Sequence, residues 1–294
     1  MHPSLTVYDE AIFDAVERDF EVKHLADNCL FTEGPVWNPA GYYLFSDITA
    51  NCIYKISEHE SRSVFLESSG TDNPADPDLK PGQAGSNALA YLPDGDLLVC
   101  QHGAHGIARF DGKVLRPFIS KYNDRPFNSP NDLILHQDGR IYFSDPPYGL
   151  KDGKINSAKF QPLAAVYCWK DGEIQVISIQ YQYPNGVCLS PDQRTLFICS
   201  NKQFERFIST FDTTRNKFLK IVAEENSDGI ECDRRGNIYL CNKDGIIILN
   251  KEGGRMALIS LPTVPANICW GGTSGNDLLV TARQNVFLLK GLQR

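Results

Sequence analysis

No run in this sequence approaches the roughly 18 consecutive apolar residues that a membrane-spanning helix needs, so no bilayer crossing by a helix is expected. A basic stripe is missing as well. Lys and Arg number 29 against 36 Asp and Glu, for a net charge of −7, which speaks against nucleic acid or an anionic membrane as partner. The six histidines are scattered and none of the nine cysteines forms a Cys-x-x-Cys pair, so a zinc site of clustered ligands is poorly supported. Their odd number also argues against a disulfide framework. Cys100, Cys188, Cys199, Cys241 and Cys269 lie inside apolar runs and read as small buried hydrophobes in a reducing compartment. The opening Met1-His2-Pro3-Ser4-Leu5-Thr6 has neither a basic nor an apolar leader segment, so a cytoplasmic location is expected. The Gly-x-Ser-x-Gly elbow is absent too, which disfavours a covalent acyl intermediate on serine.

What the chain does contain is a repeat. Six times a polar residue stands eight positions before a tight-turn residue: Glu33 before Gly41, Asn87 before Gly95, Asn131 before Gly139, Asn185 before Gln193, Asp228 before Gly236 and Asn267 before Gly275. Short apolar runs flank each turn, such as Leu133-Ile134-Leu135 and Ile141-Tyr142-Phe143. Hairpins recurring every 40–55 residues or so are the mark of a β-propeller. The expectation is an all-β, six-bladed β-propeller of four-stranded antiparallel blades, formed by residues 1–294 as a single domain. Its 294 residues and 42% hydrophobic content suit one closed β architecture.

The N-terminal stretch reads differently. Ile12, Phe13, Val16 and Phe20 recur at helical spacing, which predicts a short helix within Asp9–Phe20 of a 1–19 extension. Phe20-Glu21-Val22-Lys23-His24-Leu25 then alternates, and residues 20–26 are expected to close the ring as the outer strand of the last blade, against Asn285–Lys290. Two insertions rich in Pro, Gly and polar residues, Ser68–Ser86 and Pro146–Leu163, interrupt the spacing, and one of them is expected to cover a pocket.

Equivalent positions in a radial repeat point to the same place, so the six oxygen-bearing side chains should converge on the axis. One Asn before a strand is ordinarily a turn residue. Six in phase are another matter. Buried Glu33 and Asp228 need compensating positive charge, and no Lys or Arg lies near them in sequence. Carboxylate and amide oxygens without Cys or His suit one divalent cation, Ca²⁺ first and Mg²⁺ next, with Mn²⁺ and Zn²⁺ as alternatives.

Phe31-Thr32-Glu33-Gly34-Pro35-Val36-Trp37, Ser129-Pro130-Asn131-Asp132-Leu133, Pro184-Asn185-Gly186-Val187 and Ser227-Asp228-Gly229-Ile230 resemble, in order, the metal-site motifs of the gluconolactonase/regucalcin family of six-bladed propellers. Phe143-Ser144-Asp145-Pro146-Pro147-Tyr148-Gly149-Leu150 is more similar to its bacterial gluconolactonase branch. The resemblance implies that Glu33, Asn185 and Asp228 bind the metal. Asn131 would be a further ligand, or would hold a water on the ion and the substrate. Asp228 would also be the general base. Animal members place an Arg two residues before the matching Asn; here that position is Ser129, a departure from the pattern.

His102 follows the strand Leu97–Cys100 and is not a scaffold requirement, since other repeats hold Ile48, Pro146, Ser200, Lys243 and Ala282 at its phase. It is an alternative base or lactone contact, or a packing residue. Asn131, Asp132, His102 and Tyr148 are the substrate-contact candidates. Asp47 and Asp145, at a shared phase, read first as turn binders, with Asp145 also a pocket candidate. The expected activity is metal-assisted hydrolysis of a sugar lactone, a small-molecule substrate, to the aldonic acid. A calcium-dependent arylesterase or phosphotriesterase similar to paraoxonase or diisopropyl fluorophosphatase, or a non-catalytic binding propeller, are the alternatives.

Overall fold

Each of the six repeats folds into an antiparallel sheet, and the six sheets form the blades of a β-propeller. The computed structural model describes residues 4–294; residues 1–3 of the expected extension lie outside the described residues. The first strand of each blade lies innermost: Thr32–Asn38, Ser86–Tyr91, Leu133–Leu135, Val187–Leu189, Ile230–Cys232 and Asn267–Gly271. These strands touch one another in succession and ring the axis. Apolar residues between neighbouring blades make the core, for example Leu44, Ile53, Leu97 and Val99 between blades 1 and 2. All nine cysteines are buried there as free thiols.

The ring residues stand at the entry to these inner strands, and one backbone pattern puts them there. The Asn131, Asn185 and Asp228 N–H groups donate to Ser144, Cys199 and Cys241 carbonyls of their own blades (2.8–2.9 Å). The residue one place beyond a ring residue reaches the neighbouring blade. Gly186 N–H donates to Asp228 O and Gly229 N–H to Ala266 O, while the Ala88 N–H donates to Asn131 O (2.7–3.0 Å). So close an approach leaves no space for a side chain. A Cβ on Gly34 would stand 2.1 Å from the Asn87 carbonyl oxygen, and one on Gly186 2.7 Å from Asp228 O. Gly34 also has φ +47, the left-handed region that glycine reaches without strain.

A second repeated device braces the approach to the inner strands. Asp47 accepts the Leu30 and Phe31 N–H groups (2.7 and 3.0 Å), and Asp145 those of Asn128 and Ser129 (2.9 and 2.8 Å). Both are fully buried and act as braces of the chain; Asp145 is not at the pocket.

The N-terminal segment differs from its helical periodicity. Only a 3₁₀ turn forms, Glu10–Asp14, with the Asp9 carboxylate accepting the Ala11 N–H (3.0 Å). Ile12 and Val16 still meet the same apolar cluster, which includes Ile246, Met256 and Leu292. A turn followed by a strand serves that cluster as well as a helix would, and the open edge of the last blade decides for the strand. Val16–Ala26 pairs antiparallel with Asn285–Leu292, in the register Val22↔Leu289 and His24↔Phe287. Ser4–Val7 pairs with Arg255–Ser260 and makes blade 5 five-stranded, a feature the periodicity did not announce.

Candidate active site

At one end of the axis lies a pocket of about 280 Å³, lined by Glu33, Asn87, Asn131, Asn185 and Asp228 together with His102 and Tyr148. Among the ring residues the amides form a relay. Asn87 Nδ2 donates to Asn131 Oδ1 (2.6 Å), Asn131 Nδ2 to Asn185 Oδ1 (2.6 Å) and Asn185 Nδ2 to Asp228 Oδ1 (2.5 Å). The Asn87 Oδ1 has no partner although it is buried. Two acids and three amides from five blades thus meet on one pocket, as their spacing predicts.

The sixth place is filled differently. Ala266 N–H donates to Thr281 O and Ala266 O accepts from Gly229, so Ala266 holds the backbone position that Asp228 holds in its blade. Asn267 is one residue further along, inside the strand, and its Oδ1 accepts its own Ile268 N–H (2.8 Å). It does not line the pocket. Asp132 is a correction of the same kind. Its carboxylate accepts the Leu133 and Val187 N–H groups (2.9 and 3.0 Å), tying blade 3 to blade 4, and it lines a separate hollow. Successive side chains on an extended chain point to opposite sides, so Asn131 toward the pocket turns Asp132 away.

Both long insertions contribute. Lys80 and Gln83 come from the first and Tyr148 from the second. They are joined to each other: Lys80 N–H donates to Gly149 O (2.9 Å), Lys151 N–H to Asp78 O (2.8 Å), and Lys159 pairs with Asp78. Ser129 anchors the second loop, donating to Pro146 O and accepting the Gly149 N–H (2.5 and 2.9 Å). Tyr148 Oη then donates to Asn201 Oδ1 (3.0 Å), and Asn201 Nδ2 donates to Asp228 Oδ1 (3.1 Å). Asn201 and Arg283 are pocket residues that the sequence reading missed. Both stand eight places after their turn residues Gln193 and Gly275, one beyond the phase of His102, so the repeat held a usable signal.

The electrostatics are those of a site with too much negative charge at its floor. Burial and the neighbouring Asp228 charge push the Glu33 carboxyl well above its ordinary value. Burial also raises Asp228, opposed by the Arg283 charge and by the Asn185 and Asn201 amides. Neither acid forms an ion pair within 4.0 Å among the described residues. No group of three or more His, Cys, Asp and Glu stands together there either, so any cation at this floor would rely on the amides. The donor set fits a hard divalent ion on that footing: two carboxylates, the Asn185 Oδ1 with a second lone pair, and the orphaned Asn87 Oδ1. His102 is buried and held neutral, its pKa pushed down to about 4 by desolvation. Its Nε2 lies 3.3 Å from Asn131 Oδ1 and its Nδ1 is unpartnered. A larger hollow of about 410 Å³, around Leu189, Glu231 and Arg294, shares no residue with the amide relay.

Comparison with known proteins points to one family and one fold. A family model described as SMP-30/Gluconolactonase/LRE-like region matches residues 31–284. A gluconolactonase of Zymomonas mobilis is 31% identical over 296 aligned positions, covering 94% of this chain and 82% of that protein. The solved structure of a gluconolactonase from Xanthomonas campestris superposes with a TM-score of 0.83 at 23% identity, over 98% of this chain and 94% of the other. A calcium-binding regucalcin from Agrobacterium tumefaciens superposes at 0.73 and 19% identity, over 94% and 96%.

Proposed function

The chain belongs to the SMP-30/gluconolactonase/LRE-like family, and on that premise we propose that it hydrolyses a sugar lactone to the open-chain aldonic acid with the help of one divalent cation, Ca²⁺ by preference. The enzyme is a carboxylic ester hydrolase acting on lactones. One observation carries the finer reading: Glu33 and Asp228 are buried on the same pocket with no ion-pair partner among the described residues, amid amide oxygens from three further blades. Glu33, Asn185 and Asp228, with Asn131 beside them, would hold the ion. Bound there, it would polarise the lactone carbonyl and offset the charge that builds as water attacks.

The side chains supply the rest. Asp228 receives the proton of the attacking water. Its Oδ1 is fixed by Asn185 and Asn201, and no donor among the described residues takes Oδ2, which is left for water. Burial raises its basicity, while coordination to the ion would lower it. His102, neutral and hydrogen-bonded to Asn131, presents an imidazole to the pocket as a hydrogen-bonding partner for the sugar. It is the alternative base, its proton affinity lowered by desolvation. Tyr148 holds Asn201 and closes one wall.

The test is Asp228→Asn assayed on gluconolactone, aryl esters and organophosphates. We expect a loss of kcat on the lactone of about 10²–10⁴-fold with the fold intact. Undiminished lactone turnover would remove Asp228 from the reaction. A wild-type preference for aryl esters or organophosphates would replace the lactone as substrate.

A further inference from the structure

The mouth of the pocket carries the opposite charge from its floor. Lys80, Lys202 and Arg283 line it from three separate segments: the first long insertion, the stretch after Thr195–Ile198, and the turn between Asp277–Ala282 and Asn285–Leu292. None of the three has a carboxylate within ion-pair distance among the described residues, although the chain as a whole is acidic, with a net charge of −7.

Two of them are held in place by more than chance. Lys202 Nζ sits over the rings of both Tyr148 and Tyr183, at 5.2 and 4.7 Å from their centroids, so its ammonium is seated at the pocket. Its pKa is lowered, by burial first and by the Lys80 charge as well, against the pull of Asp228; this places the two lysines within each other's field. Arg283 has φ +58, a left-handed conformation that a long side chain rarely takes. Its carbonyl is clasped by the Thr32 N–H and hydroxyl (2.7 and 2.9 Å), and its guanidinium lies 5.0 Å from the Phe31 centroid.

Arg283 and Lys202 feel the Asp228 charge at longer range, but no carboxylate stands at ion-pair distance from them among the described residues. Two carboxylates at the floor are answered by the divalent cation of the proposed function, which leaves three positive side chains at the mouth. A neutral polyol offers them hydroxyls alone.

We propose that the lactone carries an anionic group, a carboxylate or a phosphate, at the end away from its ester carbonyl, and that Lys80, Lys202 and Arg283 seat it. This rests on the lactonase reading and narrows its substrate class. The anion takes no part in bond breaking: water adds to the carbonyl carbon, the ring C–O bond breaks, and the ring oxygen leaves as a hydroxyl. The carboxylic acid so formed releases its proton to solvent near neutral pH, so the product carries one more negative charge than the substrate.

Three substrates test it: gluconolactone, glucarolactone with its terminal carboxylate, and gluconolactone phosphorylated on its terminal hydroxyl. Wild-type kcat/KM should be about tenfold or more higher for at least one charged lactone, and the advantage should shrink as salt is raised. The two charged substrates tell carboxylate from phosphate. The Lys80→Met, Lys202→Met double variant should lose about tenfold more on the preferred charged lactone than on gluconolactone, chiefly through KM. That ratio is taken within one protein sample, so an effect on folding cancels. Equal or better turnover of the neutral lactone, or equal losses on all three, overturns the inference while leaving the lactonase intact. Turnover of none of the three overturns the lactonase reading together with it.

Discussion

Asp228 gives one carboxylate oxygen to two amides, and the second of these, Asn201, is oriented by the Tyr148 hydroxyl. Tyr148 is thus a positioning residue as well as a wall of the pocket. In Tyr148→Phe the Asn201 amide loses the donor that fixes its orientation, and Asp228 loses a directed partner. The expected result is a fall in kcat of roughly tenfold, with thermal stability within about 0.5–1.5 kcal/mol of wild type. A drop in KM alone, or no change in kcat, would separate Tyr148 from the placement of Asp228. Asp132 carries the complementary lesson. It is adjacent to a pocket residue in sequence yet serves the backbone of the next blade, because the extended chain reverses its side chain.

At the scale of the element, the entry to each inner strand matters most. Gly34 lies in the irregular segment between Glu33 and Val36, where the first blade's register shifts and the second blade's backbone passes close by. Gly34→Ala places a methyl group against the Asn87 carbonyl in a left-handed conformation. We expect a loss of stability of about 1–3 kcal/mol. Divalent-cation binding measured by calorimetry should weaken as well, because Glu33 and Asn87 flank the displaced backbone. Unchanged affinity would show that the ring tolerates that shift. A second element-scale contact joins the closing blade to the first: Glu58 pairs with Lys23 of Val16–Ala26 and Lys290 of Asn285–Leu292 (2.6 and 2.7 Å). The hydrogen bonds from Lys23 and Lys290 hold the Glu58 carboxyl down to about 2, below its ordinary 4.5. A carboxylate lowered on folding stabilises above the unfolded value, and that stability disappears as pH falls through the folded one. Glu58→Gln should therefore melt about 1–3 °C below wild type near neutral pH, with the gap closing between roughly pH 4.5 and 2. A gap that persists at the acid end would mean that shape, not charge, holds the clasp.

For the whole molecule, the proposed cation is where chemistry and stability would meet. All six blades contribute side chains to one pocket, five of them through ring residues, so an ion bound there would couple segments that contact each other only around the ring. A ligand that binds only the folded state at a hundred times its Kd adds about 2.7 kcal/mol. Removing divalent ions with a chelator should lower Tm by several degrees and abolish lactone hydrolysis, and Ca²⁺ should restore both. Loss of activity with no shift in Tm would place the ion elsewhere than among these buried carboxylates.

The sequence by itself determined the propeller, the number of its blades, and five of the residues on the pocket, because radial repetition writes a three-dimensional convergence as a one-dimensional period. It also announced the pairing of the segment around Val22–Leu25 with the C-terminal strand through simple alternation. Where the argument depended on one residue of register, the period was too coarse: Ala266 holds the place expected of Asn267, and a bulge or an early strand start leaves the turn spacing unchanged. Tertiary structure alone decided that Asp9–Phe20 becomes a turn and a strand, since an unpaired sheet edge outweighs a weak helical pattern. It alone brought Lys80 and Lys202 to the pocket, because loops follow the packing of the blades beneath them and carry no period of their own.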